Sequence, residues 1–161
     1  MTRAIIIGAP RSGSGKTSVT IGILRALARR GIKVRGAKSG PDYIDPGFHT
    51  AATGLSGVNL DSWAMSPDLL NALAGNATED ADFIFLESAM GLFDGIPAGQ
   101  GRTGSAADLA RLYHLPVLLV LDVSGQSTAG GRRRPRGWCQ KTDGGEDGLR
   151  VKPQRPRGIK K

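Results

Sequence analysis

Short apolar runs punctuated by glycine alternate along the chain with stretches whose apolar residues recur every three or four positions. Residues 4–9 (AIIIGA) form the first run, bounded by Gly and Pro, the pattern of a strand buried on both faces. From residue 16 to residue 30, Val19, Ile23, Leu24 and Leu27 recur at helical spacing, and Gly31 follows as a stop. Residues 32–37 predict a second strand, followed by a Gly/Pro/Asp-rich loop; residues 48–52 suit a short helix ended by Gly54. Ser66 as N-cap, Pro67 at the first helical position and Asp68 in the first turn start a helix over residues 67–74, with Gly75 as its end. DFIFLE at 82–87 predicts a third strand, residues 88–104 a long glycine-rich loop, residues 105–113 a helix, and VLLVLDV at 117–123 a fourth strand.

Strands alternating with helices imply right-handed crossovers and an α/β fold with a mainly parallel sheet flanked by helices. A length of 161 residues suits one domain. Four strands make a small sheet, so the fold is expected to be incomplete at its C-terminus. Past Gly125 the periodicity stops. Residues 128–161 form a basic Gly/Arg/Pro-rich tail without the apolar residues a core needs, expected to be disordered or to come from a shifted reading frame.

The formal net charge of +8 invites a nucleic-acid reading, but its distribution argues against one. Residues 1–129 hold eleven basic and eleven acidic side chains, so the whole excess lies in the tail. The single cysteine, Cys139, sits in that tail and permits no internal disulfide and no cysteine-based metal site. No apolar run reaches the ~20 residues of a membrane helix. The N-terminus MTRAIIIGAP reads as a strand rather than a signal peptide, so a cytoplasmic location and no membrane partner are expected.

GAPRSGSGKTS at residues 8–18 is the sharpest local signal, because it follows a predicted strand and opens a predicted helix. Glycines 13 and 15 let backbone N–H groups converge on phosphate oxygens, and the helix N-terminus adds unpaired donors. The expected nucleotide contacts are Ser12, Gly13, Ser14, Gly15, Lys16, Thr17 and Ser18, with ATP and Mg²⁺ as the bound species. Lys16 would reach the β- and γ-phosphates and Thr17 would ligate Mg²⁺. Pro10 stands where the usual loop has its first glycine. Arg11 stands where ParA/MinD-type ATPases carry an extra lysine, which keeps an ATPase switch as the rival reading.

Holding Mg²⁺ needs acids. Glu87 ends a predicted strand, with bulky apolar residues behind it; Asp42 and Asp45 follow the second strand, and Asp94 lies in MGLFDG. In a parallel sheet these strand ends share the edge with the phosphate loop, so Asp45 and Glu87 can meet one metal. Lys38 closes the second strand at the same edge and suits phosphate or a substrate carboxylate. His49 is read equally as a helix cap or a substrate contact, and Asp42 equally as turn-former or functional acid. Trp63 and Met65 read as packing, His114 as structural, and Asp122 as a nucleotide-facing acid or a turn cap.

The segments APRSGSGKTSVTIGILRAL, KSGPDYIDPGFHTAATG, VNLDSWAM, MGLFDG and LVLDVSGQS, in this order, resemble the cobyrinate or hydrogenobyrinate a,c-diamide synthase family over residues 1–127. The GPDYIDPGFHTAATG segment is far more specific than the phosphate loop. The resemblance implies a dethiobiotin-synthetase-like fold and amidation of corrin-ring a- and c-carboxylates with ATP and glutamine or ammonia. It also implies a C-terminal glutamine amidotransferase domain, and it leaves room for a homodimer. It carries Lys16 and Thr17 over as phosphate and metal residues. Asp42, Asp45, Glu87 and Asp94 carry over as acids around metal and acyl phosphate. Lys16, Asp45, Glu87 and Asp94 are thereby the catalytic candidates; Thr17, Asp45 and Glu87 the metal ligands; Lys38, Asp42, Tyr43 and His49 the substrate contacts. Two departures stand out. Ser88 replaces a family glycine and is expected to crowd the metal-side backbone. Nothing after Ser127 resembles the family, so a truncated synthetase domain without glutamine hydrolysis, active or inactive, is expected.

Overall fold

The computed structural model describes residues 2–124; the tail and Cys139 lie outside the described residues. Five strands and four helices alternate. They are β1 (Arg3–Gly8), α1 (Lys16–Ala28), β2 (Val34–Ser39), α2 (Asp45–Thr53), β3 (Val58–Asn59), α3 (Pro67–Thr78), β4 (Phe83–Ser88), α4 (Ala106–Leu112) and β5 (Val117–Leu119). The strands form one sheet in the order β3-β2-β4-β1-β5, and every pairing is parallel. This is the α/β fold expected from the alternation, with helices on both faces.

Alternation along the strands sorts the core into two layers. Ile7, Val34 and Phe85 point to the face covered by Leu24 of α1 and Ala52 of α2. Ile6, Ala37, Ile84 and Leu86 point to the other, against Leu70 and Ala77 of α3 and Leu109 and Ala110 of α4. The chain leaves β1 toward β2 and leaves β4 toward β5, in opposite directions across adjacent strands. Such a reversal opens a crevice beyond the carboxyl ends of those strands, where ligands of open α/β sheets bind.

Several elements depart from the sequence reading. Helix α3 runs through Gly75 to Thr78. A mid-helix glycine costs about 1 kcal/mol relative to alanine, and burial of Leu70 and Ala77, with Leu73 and Ala74 packed alongside, outweighs it. Helix α2 starts at Asp45 rather than at residue 48. There Asp42 Oδ1 accepts from the N–H groups of Ile44 (2.9 Å) and Asp45 (3.0 Å), and Pro46 occupies the first turn. Strand β3 is a fifth strand of two residues, too short to show alternation. Strand β5 spans three residues rather than seven, and Leu121 and Val123 beyond it are half exposed.

Candidate functional site

Lys16 begins α1 directly after β1 and a turn in which Gly13 and Gly15 take φ of 75° and 84°. These left-handed values need glycine, and they turn the loop so that the helix opens beside the carboxyl end of β1. Lys16 is 5% exposed and curls back over the loop, with Nζ donating to the Arg11 carbonyl at 3.3 Å. Ser14 Oγ donates to the same carbonyl at 3.0 Å. Ser12 and Ser18 are exposed. Burial pushes the Lys16 ammonium below its ordinary value, against the opposing pull of Glu87, Asp94 and Asp45.

Next to this loop four elements converge. Lys38 of β2 and Glu87 of β4 are register partners in adjacent parallel strands, so their side chains emerge together at the sheet edge. Lys38 Nζ donates to Glu87 Oε1 at 3.0 Å, bonds Asp45 Oδ2, and lies 3.6 Å from Asp42 Oδ2. Thr17 Oγ1 donates to Glu87 Oε1 at 2.5 Å and stands 3.4 Å from Asp45 Oδ2. Burial would raise the Glu87 carboxyl. Hydrogen bonds from His49 and Thr17, and the Lys38 ammonium, instead hold it at about 2. Burial opposes charge on Lys38 too, yet Asp45 and Glu87 raise its pKa. For Asp42, burial is outweighed by the N–H groups of Asp45 and Ile44 and by Lys38, so its pKa is lowered.

His49 takes a place that sequence reasoning did not assign. It is fully buried on α2, and its Nε2 lies 3.1 Å from Glu87 Oε2. An ionised carboxylate only accepts, so Nε2 carries the proton. Gly36 makes the approach feasible: a Cβ there would stand 2.5 Å from His49 Cβ. His49 therefore stands behind Glu87, inside α2 rather than at its cap. The signal that pointed here was GFHTAATG, but its glycine partner lies on another strand.

The remaining candidates lie further out. Tyr43 is 91% exposed on the loop before α2. Asp94 is exposed, and its Oδ2 accepts from Gly91 N–H at 2.8 Å. Asp122 pairs with Arg11 at 3.1 Å and accepts from Ser124. Ser88 is fully buried, and its Oγ donates to the Met90 carbonyl at 2.9 Å. Trp63 is 57% exposed rather than packed; Met65 does pack against the core.

Residues 5–112 match the family profile described as CbiA, the CobQ/CobB/MinD/ParA nucleotide binding domain. The chain belongs to this family. The match spans the phosphate loop, the acid cluster and helix α4, so nucleotide binding is the shared property of the region built above. The chain is 88% identical over 126 residues to a hydrogenobyrinate a,c-diamide synthase of Mesorhizobium japonicum, covering 78% of this chain and 29% of that protein. It is 78% identical over 125 residues to the Agrobacterium fabrum protein of the same name, covering 78% of this chain and 28% of the relative. A third of that name, from Rhodobacter capsulatus, is 56% identical over 126 residues, 77% of this chain and 28% of the relative. The chain thus spans under a third of the length of these curated relatives. Among the described residues no helix is long and apolar enough to cross a membrane.

Proposed function

We propose that this chain is the ATP-handling part of a ligase that amidates carboxylates of hydrogenobyrinate or a similar corrin ring through an acyl phosphate. One observation carries the reading: the Thr17 hydroxyl, the Asp45 and Glu87 carboxylates and the Lys38 ammonium gather within hydrogen-bond reach beside the Lys16 loop. In this reading residues 1–127 form the working domain and residues 128–161 a separate tail.

The residues suit magnesium. Three carboxylates already surround a cation, the Lys38 ammonium, and a hydroxyl with two carboxylates is an oxygen donor set of the kind hard divalent ions take. Thr17, Asp45 and Glu87 would hold the ion, which when bound neutralises charge on the nucleotide's phosphates. His49 fixes Glu87 from behind, so the carboxylate is oriented before any ligand arrives. The backbone N–H groups of residues 12–18 cradle the triphosphate, and Lys16 stabilises charge on the transferring group.

A carboxylate does not react with ammonia, because its oxygen is a poor leaving group. When a substrate carboxylate oxygen attacks the γ-phosphorus, the bond to ADP breaks and an acyl phosphate forms. Ammonia then attacks the acyl carbon, phosphate departs, and the nitrogen loses a proton to leave the amide. In-line positioning is the main demand of the first step, so no general base is required there. In the longer enzymes of the resembled family glutamine would supply the ammonia.

Calorimetry with MgATP and phosphate release with hydrogenobyrinate test the reading. MgATP should bind, and Lys16→Ala should weaken it on the order of a hundredfold, as loss of one partner of a buried charge contact does. Phosphate release should respond to the ring carboxylates. Release that answers instead to DNA or lipid vesicles would replace the ligase with the ATPase switch. Arg11 is the feature that suits that switch, and here it is engaged by Asp122.

A further inference from the structure

Lys38 is a buried cation with three carboxylates in ion-pair range, those of Asp42, Asp45 and Glu87. One positive charge among three negative ones leaves the group short by two. Buried charge calls for compensation, and a divalent ion brings the amount that is missing. The hydrogen bonds show which atoms such an ion would contest. Lys38 Nζ donates to Glu87 Oε1 at 3.0 Å and bonds Asp45 Oδ2. Thr17 Oγ1 meets the same two oxygens, at 2.5 Å and 3.4 Å. The Thr17 hydroxyl and those two carboxylates are the donor set assigned above to the metal. Two cations on one pair of oxygens repel each other at close range, so the ammonium and the ion compete.

Asp42 supplies a second seat. Its Oδ1 accepts from the N–H groups of Ile44 and Asp45, which fixes the side chain on the turn before α2. Its Oδ2 lies 3.6 Å from Lys38 Nζ, in range of an ion pair but beyond a hydrogen bond. Among the three acids its side chain is the most exposed, at 28% against 18% for Asp45 and 0% for Glu87. A short swing of the lysine head therefore vacates the contested oxygens and still ends on a carboxylate. Asp61 and Asp94 are not alternative seats. They line a neighbouring cleft of 560 Å³ with Trp63, Phe93 and Ile96, and Lys38 is not part of that lining.

We propose that Lys38 is a built-in counter-cation, which holds Asp45 and Glu87 while the metal is absent and moves to Asp42 when Mg²⁺ takes their oxygens. The assignment rests on the reading under Proposed function, which names the metal ligands. It gives Lys38 two duties in sequence. Before the ion arrives, the ammonium keeps the two acids oriented and partly balanced. Afterwards the same ammonium stands on the more exposed side of the site, where an anionic substrate would arrive. Its charge thus becomes available to that substrate only in the metal-loaded protein.

The test follows the Lys38 ammonium of the full 161-residue chain by its nitrogen–proton NMR signal, assigned by its loss in Lys38→Arg. A buried, hydrogen-bonded ammonium exchanges slowly with water, so the signal should be visible without magnesium. Titration with magnesium chloride should abolish it saturably as the head moves to the wetter seat, and sodium chloride at equal ionic strength should not. A signal that shifts but persists at saturating Mg²⁺ overturns the proposal, because the ion then sits beside an unmoved ammonium. A signal missing from the start overturns it too, because the ammonium is then not held. Affinity for Mg²⁺ alone, read from the rise in thermal midpoint, separates exchange from simple charge. Lys38→Met removes the competitor and should bind Mg²⁺ about tenfold or more tightly, since apparent affinity scales with the fraction of sites free to bind. Lys38→Arg keeps the charge but grips carboxylates through a planar fork, and should bind Mg²⁺ about tenfold more weakly than the parent. It retains the charge the cluster needs, so it reports even where Lys38→Met does not fold. Equal affinity in Lys38→Arg and the parent overturns the exchange. If the ammonium answers Mg²⁺ while phosphate release ignores hydrogenobyrinate, the ligase reading falls and the exchange stands. MgATP binding and ring-dependent phosphate release with Lys38 unmoved would do the reverse.

Discussion

Glu87 and Asp61 are both buried carboxylates near the same edge of the sheet, at 0% and 3% exposure, but their surroundings differ in kind. Glu87 is satisfied on both oxygens, by His49 on one and by Thr17 and Lys38 on the other. Asp61 is satisfied on one oxygen only. The difference separates two ways of preparing a site. Around Glu87 the protein supplies its own cation and its own donors, so the groups are oriented in advance and an incoming ion must displace Lys38. Around Asp61 the protein stops halfway, and one oxygen is left without a hydrogen-bond partner among the described residues.

Removing Glu87 should have the largest effect. Glu87→Ala would leave His49 and Lys38 buried without their shared acceptor, and breaking a buried pair from one side costs about 3–5 kcal/mol. Urea unfolding measures it directly. Acid probes the same contact. The Glu87 carboxyl is held at about 2 against 4.5 in the unfolded chain, so the folded state binds the proton later on acidification. Its contribution, on the order of 3 kcal/mol, is complete above about pH 4.5 and falls away as pH approaches about 2. Unfolding midpoints should therefore drop over that window in the parent, and Glu87→Gln should remove much of the slope. An identical acid profile in Glu87→Gln would mean that the cluster does not hold its charge this way.

A smaller effect is expected from behind the cluster. Gly36→Ala would put a methyl group 2.5 Å from His49 Cβ, so helix α2 must shift or the imidazole must leave Glu87. Overpacking of this sort costs about 1–3 kcal/mol. The informative readout is nucleotide affinity measured alongside stability. If MgATP binding weakens together with stability, His49 acts by positioning Glu87. A stability loss at unchanged affinity would make the histidine mere packing.

Much of this arrangement was legible beforehand, and the reasons for the gaps are physical. GSGKT after an isoleucine-rich run fixes a strand, a loop and a helix within a few residues, because each of those signals is local. FIFLE places an acid at a strand mouth by the same logic. His49 was not readable, because its burial depends on Gly36, and only the sheet brings a β2 glycine under an α2 side chain. The cleft was not readable either. Its walls come from the turn at Asp61–Trp63 and the loop over residues 88–104, which carry no periodicity, and Trp63 looked like ordinary core until its neighbours were known. Helix α3 continues through Gly75 since tertiary burial of Leu70 and Ala77 overrides a local stop signal.

The sharpest test of the contrast has the smallest expected magnitude. Asp61→Asn keeps an oxygen for the N–H groups of Trp63 and Ala64 while removing a charge that nothing balances. Replacing an uncompensated buried charge is neutral or stabilising, so the change in unfolding free energy should be about 0–1 kcal/mol in the stabilising direction. Glu87→Gln, by the same amide-for-carboxylate exchange, should destabilise. The two substitutions are chemically identical, so a difference in sign can come only from what surrounds each oxygen. Should both variants lose stability alike, Asp61 Oδ2 has a partner after all.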